Sequence, residues 1–92
     1  MARAELILRE KVIDETGNLL ELVIWAVSDG VRYRLAFIRS GDSVPIVLYD
    51  NHHPKGPHRH VEGIEEPYPY TNVDRLLADF RADVSRIRGD GG

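Results

Sequence analysis

Apolar residues recur at every second position through much of the first half of the chain and at every third or fourth position near its end, so the sequence predicts strands followed by a helix. Over residues 5–13, Leu6, Leu8 and Val12 fall on one side of an extended chain and Ile7, Arg9, Lys11 and Ile13 on the other, with Glu10 interrupting the first side. Turn-forming residues at 14–18 separate this segment from residues 20–27, an apolar and β-branched run around Trp25. Asp29-Gly30 then predicts a tight hairpin, because positive φ costs little at such residues. Beyond it Val31, Tyr33, Leu35 and Phe37 alternate with a wet side that begins with Arg32 and Arg34. After a turn at residues 40–43, residues 45–49 read as a fourth strand whose proline, Pro45, suits an edge or a strand start.

Residues 50–57 hold two prolines, a glycine, two histidines and a lysine without apolar periodicity, and read as a loop. A short fifth strand is expected about Arg59-His60-Val61, then an extended Pro67-Tyr68-Pro69 segment. Val73, Leu76, Leu77, Phe80, Val84 and Ile87 make one face of a helix, with Thr71 and Asp74 matching a capping box and Arg86 and Arg88 favoured at the far end by the helix dipole. The fold expected is α+β: an antiparallel four- to five-stranded β-meander packed against one C-terminal amphipathic helix. One domain spans residues 1–88, and residues 89–92 form a disordered tail. The first or fourth strand, as an edge, leaves a homodimer open.

With 92 residues, 42% of them hydrophobic, the chain can bury a single core. Cysteine is absent, which removes disulfides, thiolate metal sites and cysteine nucleophiles together. Charge and alternation arrive too early for a signal peptide, and no apolar run approaches membrane-spanning length, so an untargeted, cytoplasmic protein without a membrane role is expected. A net charge of −3 disfavours nucleic-acid binding by bulk charge but leaves room for a local basic cleft, where Lys55, Arg59 and the arginines of the third strand could converge.

All four histidines, His52, His53, His58 and His60, lie within nine residues. Imidazole suits both proton transfer near neutral pH and metal ligation. On a strand, His58 and His60 would share a face. Without a metal, one would act as general base or acid, Arg59 and Lys55 would neutralise a phosphate, and Glu65 or Glu66 would be a second proton-transfer group. That set suits RNA cleavage, in which the 2′-hydroxyl is the nucleophile. With a metal, His52, His53, Asp50, Glu62 or Glu65 would have to complete the ligand set, but no established ligand spacing is present. The third reading is a surface loop with solvated histidines. Trp25, Tyr33, Phe37 and Phe80 are assigned to the core, whereas Tyr49, Tyr68 and Tyr70 border the cluster and could stack on a base or cover the sheet edge. The helix face with Arg75, Asp79, Arg81 and Asp83 reads as solvated. No glycine-rich phosphate loop or dinucleotide fingerprint is present, and no cofactor is expected.

The order of motifs resembles the TumE family of toxins from toxin–antitoxin pairs. The resemblance runs nearly end to end, through Glu21-Leu22-Val23-Ile24-Trp25, Tyr33-Arg34-Leu35-Ala36-Phe37, Tyr49-Asp50-Asn51, Lys55-Gly56-Pro57-His58-Arg59-His60, Glu65-Glu66-Pro67-Tyr68-Pro69-Tyr70 and residues 76–84. It implies a cognate antitoxin, typically a helix-turn-helix DNA-binding protein, and toxicity when that partner is missing. The family-like positions are Tyr49, Asp50, Asn51, Lys55, His58, Arg59, His60, Glu66 and Tyr68, while His52 and His53 fall in a variable insert. Together with the local residues, the habits of similar small toxins suggest a metal-independent ribonuclease. In it His58, His60, Arg59, Lys55 and Glu66 would be catalytic, and Tyr49, Asp50, Asn51, Tyr68, Arg32 and Arg34 would bind substrate. The rival readings are a non-enzymatic binding module acting through the arginine-bearing sheet face and a metal-dependent hydrolase built on the histidines.

Overall fold

The computed structural model describes residues 4–52 and 55–89. The alternating segments form strands β1 (Glu5–Ile13), β2 (Leu19–Val27), β3 (Gly30–Ile38), β4 (Val47–Asp50), β5 (His58–Val61) and β6 (Ile64–Pro67), and helix α1 (Val73–Arg88) follows. Each strand pairs antiparallel with the next, so the six strands form a meander in sequence order. The α+β architecture agrees with the sequence reading, with one strand more. β5 and β6 are joined by Glu62-Gly63, where both residues have positive φ, 52° and 82°, as a two-residue turn matched to strand twist requires. Asn or Asp is usual at the first of these positions. Glu62 takes it while donating its backbone N–H to the Ile46 carbonyl at 2.9 Å, and its identity conceals the hairpin in the sequence.

Helix α1 covers one face of the sheet. On that inner face the register sets Leu22 opposite Leu35, Ile24 opposite Tyr33 and Leu20 opposite Phe37, with Val47 and Tyr49 continuing it on β4. Leu76, Phe80 and Val84 pack onto this layer, and Tyr49 meets Phe80 and Tyr68 edge-on, with ring centroids 5.6 and 4.9 Å apart. Burying each such side chain contributes about 1.5–3 kcal/mol, enough to decide which face of the sheet turns toward the helix. The opposite, open face carries Val23, Trp25, Arg32 and Arg34. Trp25 is half-buried there and does not belong to the buried core, contrary to its sequence assignment, because it falls in the odd-numbered register of β2.

Other differences are local. Leu6 lies opposite Trp25 and Leu8 opposite Ile24, so a bulge at Ile7 puts Leu6 and Leu8 on different faces. The sheet edges are β1 and β6. β4 is paired on both sides, which Pro45 permits because it precedes the first residue of the strand. The helix is capped by Asn72, whose side chain accepts the Arg75 N–H at 2.8 Å, where Thr71 was expected. Gly89, expected in the tail, closes the helix in the left-handed region at φ 77°. Residues 90–92 of that expected tail lie outside the described residues, as does His53. At the β1–β2 turn burial opposes ionisation of Asp14, but hydrogen bonds from Asn18 and Thr16 outweigh it and hold the carboxyl down at about 2. No helix among the described residues is long and apolar enough to cross a membrane.

The Tyr33 hydroxyl is buried without a hydrogen-bond partner among the described residues, and burial, then Asp50 and Tyr70, push its phenol up to about 12. Tyr33→Phe removes the unpaired group. It is expected to be neutral or to raise stability by about 1 kcal/mol in urea unfolding, whereas Tyr68→Phe, which breaks a bond to Asp79, is expected to lower it by about as much.

Candidate active site

Strand β5 reads His58-Arg59-His60-Val61, and its alternation assigns these side chains to opposite faces. His58 stands opposite Asp50 and Pro67, and His60 opposite Leu48 and Glu65, all on the open face. Arg59 stands opposite Tyr49 and Glu66, on the face that meets the helix.

On the open face the two imidazoles lie 5.3 Å apart between ring centroids, inclined at 75°. His58 is 8% exposed. Its Nδ1 lies 2.8 Å from the Gly56 carbonyl oxygen, and since a carbonyl only accepts, Nδ1 carries the hydrogen and the neutral ring keeps its lone pair at Nε2. His60 Nε2 lies 3.7 Å from Glu65, and Lys55 Nζ donates to both Glu65 carboxylate oxygens at 3.1 and 3.0 Å. The Lys55 bond is the main cause that holds the Glu65 carboxyl below its ordinary range, with lesser help from His60 and His58. The site thus combines a base with a fixed free lone pair, a second imidazole beside a carboxylate, and an exposed ammonium.

The same residues could hold a metal. One ring nitrogen each from His58 and His60 and a carboxylate oxygen of Glu65 lie within 4.8 Å of one another. Two imidazoles and a carboxylate suit a zinc-class divalent ion, and the His58 bond to a backbone carbonyl is the outer contact that metal-binding histidines make. Lys55, already bonded to both Glu65 oxygens, would have to yield one of them.

On the helix face Arg59 Nη1 donates to the Tyr49 hydroxyl at 3.0 Å and to Asp83 at 3.1 Å, and its Nε donates to Glu66 at 2.9 Å. Tyr49, fully buried, donates to the same Asp83 oxygen, and Arg86 donates to the other at 3.0 Å. Burial and then the Asp83 carboxylate push the Tyr49 phenol well above its usual value, while the bond to Tyr49 and then that to Glu66 outweigh burial in raising Arg59. Beside this network Tyr68 donates to Asp79 at 2.6 Å, and burial followed by that bond raises its phenol also.

The expected site residues therefore separate into two groups. His58, His60 and Lys55 come together, with Glu65 taking the place expected of Glu66. Asp50 adjoins His58 in the same cross-strand row and Arg34 adjoins Asp50, with Arg32 further along β3. Arg59, Glu66, Tyr49 and Tyr68 lie on the other side of the sheet, and the two tyrosines are too buried to stack on a base. The strand period of two that pairs the histidines also parts Arg59 from them. Asn51 is a structural clamp: its side chain accepts the Tyr33 N–H at 3.0 Å and donates to the Val31 carbonyl at 2.7 Å, extending the β3–β4 pairing past Asp50. His52 is exposed, and its backbone N–H donates to Asp50 at 2.6 Å. Asp79 and Asp83, expected in solvent, are bonded inward. Their position directly before Phe80 and Val84, at the margin of the apolar helix face, is the signal that marks them.

Asp83→Ala strips a 13%-exposed carboxylate from a hydroxyl and two guanidiniums at once, and should cost about 2–4 kcal/mol of stability in urea unfolding. His60→Ala on the open face should cost under about 1 kcal/mol in the same measurement.

Neither the curated proteins nor the solved structures contain a match to the chain. The family model described as "Toxin TumE" matches residues 2–88, nearly the whole sequence. With the meander, its C-terminal helix and the Lys55-to-His60 segment in place, the chain belongs to the TumE toxin family, the toxin component of a toxin–antitoxin system, and this implies a cognate antitoxin.

Proposed function

We propose that this toxin acts by cutting RNA on the open face of its sheet, with His58 and His60 moving the protons and no resident metal. The observation that carries the reading is the pair of imidazoles 5.3 Å apart, one with Nδ1 bonded to the Gly56 carbonyl and the other beside the Glu65–Lys55 pair. His58 Nε2 takes the proton of a ribose 2′-hydroxyl as that oxygen attacks the adjacent phosphorus. Lys55 and Arg34 neutralise the charge that grows on the phosphoryl oxygens, and His60 protonates the departing 5′-oxygen. The products are a 2′,3′-cyclic phosphate and a free 5′-hydroxyl, and no protein nucleophile is consumed. Arg59 and Glu66 act as positioning residues, holding β5 from beneath so that its histidines stay on the open face. The antitoxin, on this reading a helix-turn-helix protein, silences the activity in the cell.

A second reading has one specific observation in its favour: the His58, His60 and Glu65 ligand atoms within 4.8 Å, which would serve a metal-dependent hydrolase. The two readings part on a chelator.

Induced expression without the antitoxin should arrest growth for the wild type and not for His58→Ala or His60→Ala proteins of equal folding. The purified wild type should cut RNA in excess EDTA, leaving cyclic phosphate ends, with His58→Ala slower by about a hundredfold or more. Loss of cleavage in EDTA, restored by a divalent metal, would move the assignment to the metal reading. Equal growth arrest by all three proteins would replace catalysis with target occupation.

A further inference from the structure

Proton transfer leaves one feature of the open face unused. Trp25 of β2 and Arg32 of β3 are direct cross-strand partners, Val23 and Arg34 are the next pair on that face, and with Asp50 and Asn51 they line a groove of about 310 Å³. This volume lies at the lower end of small-ligand sites and admits one planar heterocycle. Arg9 of β1, on the flank of Trp25 away from β3, sits over the Trp25 ring, 5.9 Å from its centroid, and does not line the groove. Among the described residues Arg32 makes no hydrogen bond or ion pair, and Arg34 has a single long contact of 3.9 Å to a half-buried Glu21. Arg9, Lys11, Arg32 and Arg34 thus outnumber Glu21 and Asp50 on this part of a chain whose net charge is −3.

We infer that this groove receives an unstacked base of single-stranded RNA, the base lying against Trp25 and a neighbouring phosphate meeting Arg32. An aromatic face beside an unpaired guanidinium is the combination that binds single strands, and the bases of a duplex are not free to enter it. The identity of the polymer rests on the RNA-cleaving reading. The groove shares Asp50 with the cross-strand row that holds His58, and three strand spacings of about 4.8 Å separate Trp25 from that histidine. The base bound at Trp25 is therefore not the one whose 2′-oxygen attacks, and the groove would set preference at a position displaced from the cut.

Trp25 is the sole tryptophan of the chain, so its emission reports on the groove directly. The probe is a short 2′-O-methyl RNA oligonucleotide without self-complementarity, which lacks the nucleophilic hydroxyl and cannot be cut. Titrated into the wild-type protein, it should quench Trp25 saturably, with affinity falling as salt rises, and the same sequence annealed to its complement should not quench. With a labelled probe, Arg32→Gln and Trp25→Ala should each weaken binding by about tenfold or more. Failure of the probe to bind, or binding that leaves Trp25 emission and the Arg32→Gln affinity unchanged, would overturn the inference. Because the probe is uncleavable, inactive histidines would not disturb this result, and an empty groove would not decide whether the histidines cut.

Discussion

Arg59 is the point at which four parts of the chain meet. Rising from β5 on the helix side, it binds Tyr49 of β4, Glu66 of β6 and Asp83 of α1. β4, β5 and β6 are four residues long each, and strands so short have few ladder bonds with which to hold a register. A slip of one residue would turn His58 and His60 toward the helix and expose the guanidinium. It would also strip a partly buried cation of its partners, at a cost of several kcal/mol. The outward direction of the histidines is thus enforced by a residue that lies on the other side of the sheet from them.

Much of the fold was legible because the core obeys simple periods. Leu22, Ile24, Leu35 and Phe37 follow the period of a strand, and Leu76, Phe80 and Val84 that of a helix, and all are buried as expected. The departures come from features that periodicity does not register. Glu62 occupies a left-handed turn position that composition would reserve for Asn or Asp, so the sequence carries no such turn signal ahead of β6. A bulge at Ile7 reverses part of the first strand. Trp25 is large and apolar, yet its parity assigns it to the open face. Asp79 and Asp83 read as surface acids because their place at the margin of the apolar helix face does not identify the tyrosines and arginine that reach them.

The candidate site is legible in its composition and only partly in its geometry. His58 and His60 do share a face, and Lys55 joins them, but it does so through Glu65. Arg59 and Glu66 carry the same chemical types as Lys55 and Glu65 and sit beside the histidines in sequence, so residue type could not separate the two pairs. Strand parity could. The sheet divides labour accordingly: the helix side holds the phenols and the Arg59–Asp83 pair that tie strands to helix, and the open side carries the imidazoles with the Lys55–Glu65 pair at their margin.

The same exposure has a different meaning at β1. This nine-residue strand has a neighbour on one flank, and Leu6, Ile7, Val12 and Ile13 lie open to solvent. A bare apolar edge invites another strand, but the middle of this one reads Arg9-Glu10-Lys11. An antiparallel copy centred on Arg9 brings arginine against arginine, and one centred on Glu10 brings glutamate against glutamate. Like charges therefore penalise identical chains in the two central alignments, whereas a foreign strand of complementary charge meets no such obstacle. The charged centre of this edge thus works against the two alignments that the apolar residues on either side of it would otherwise favour.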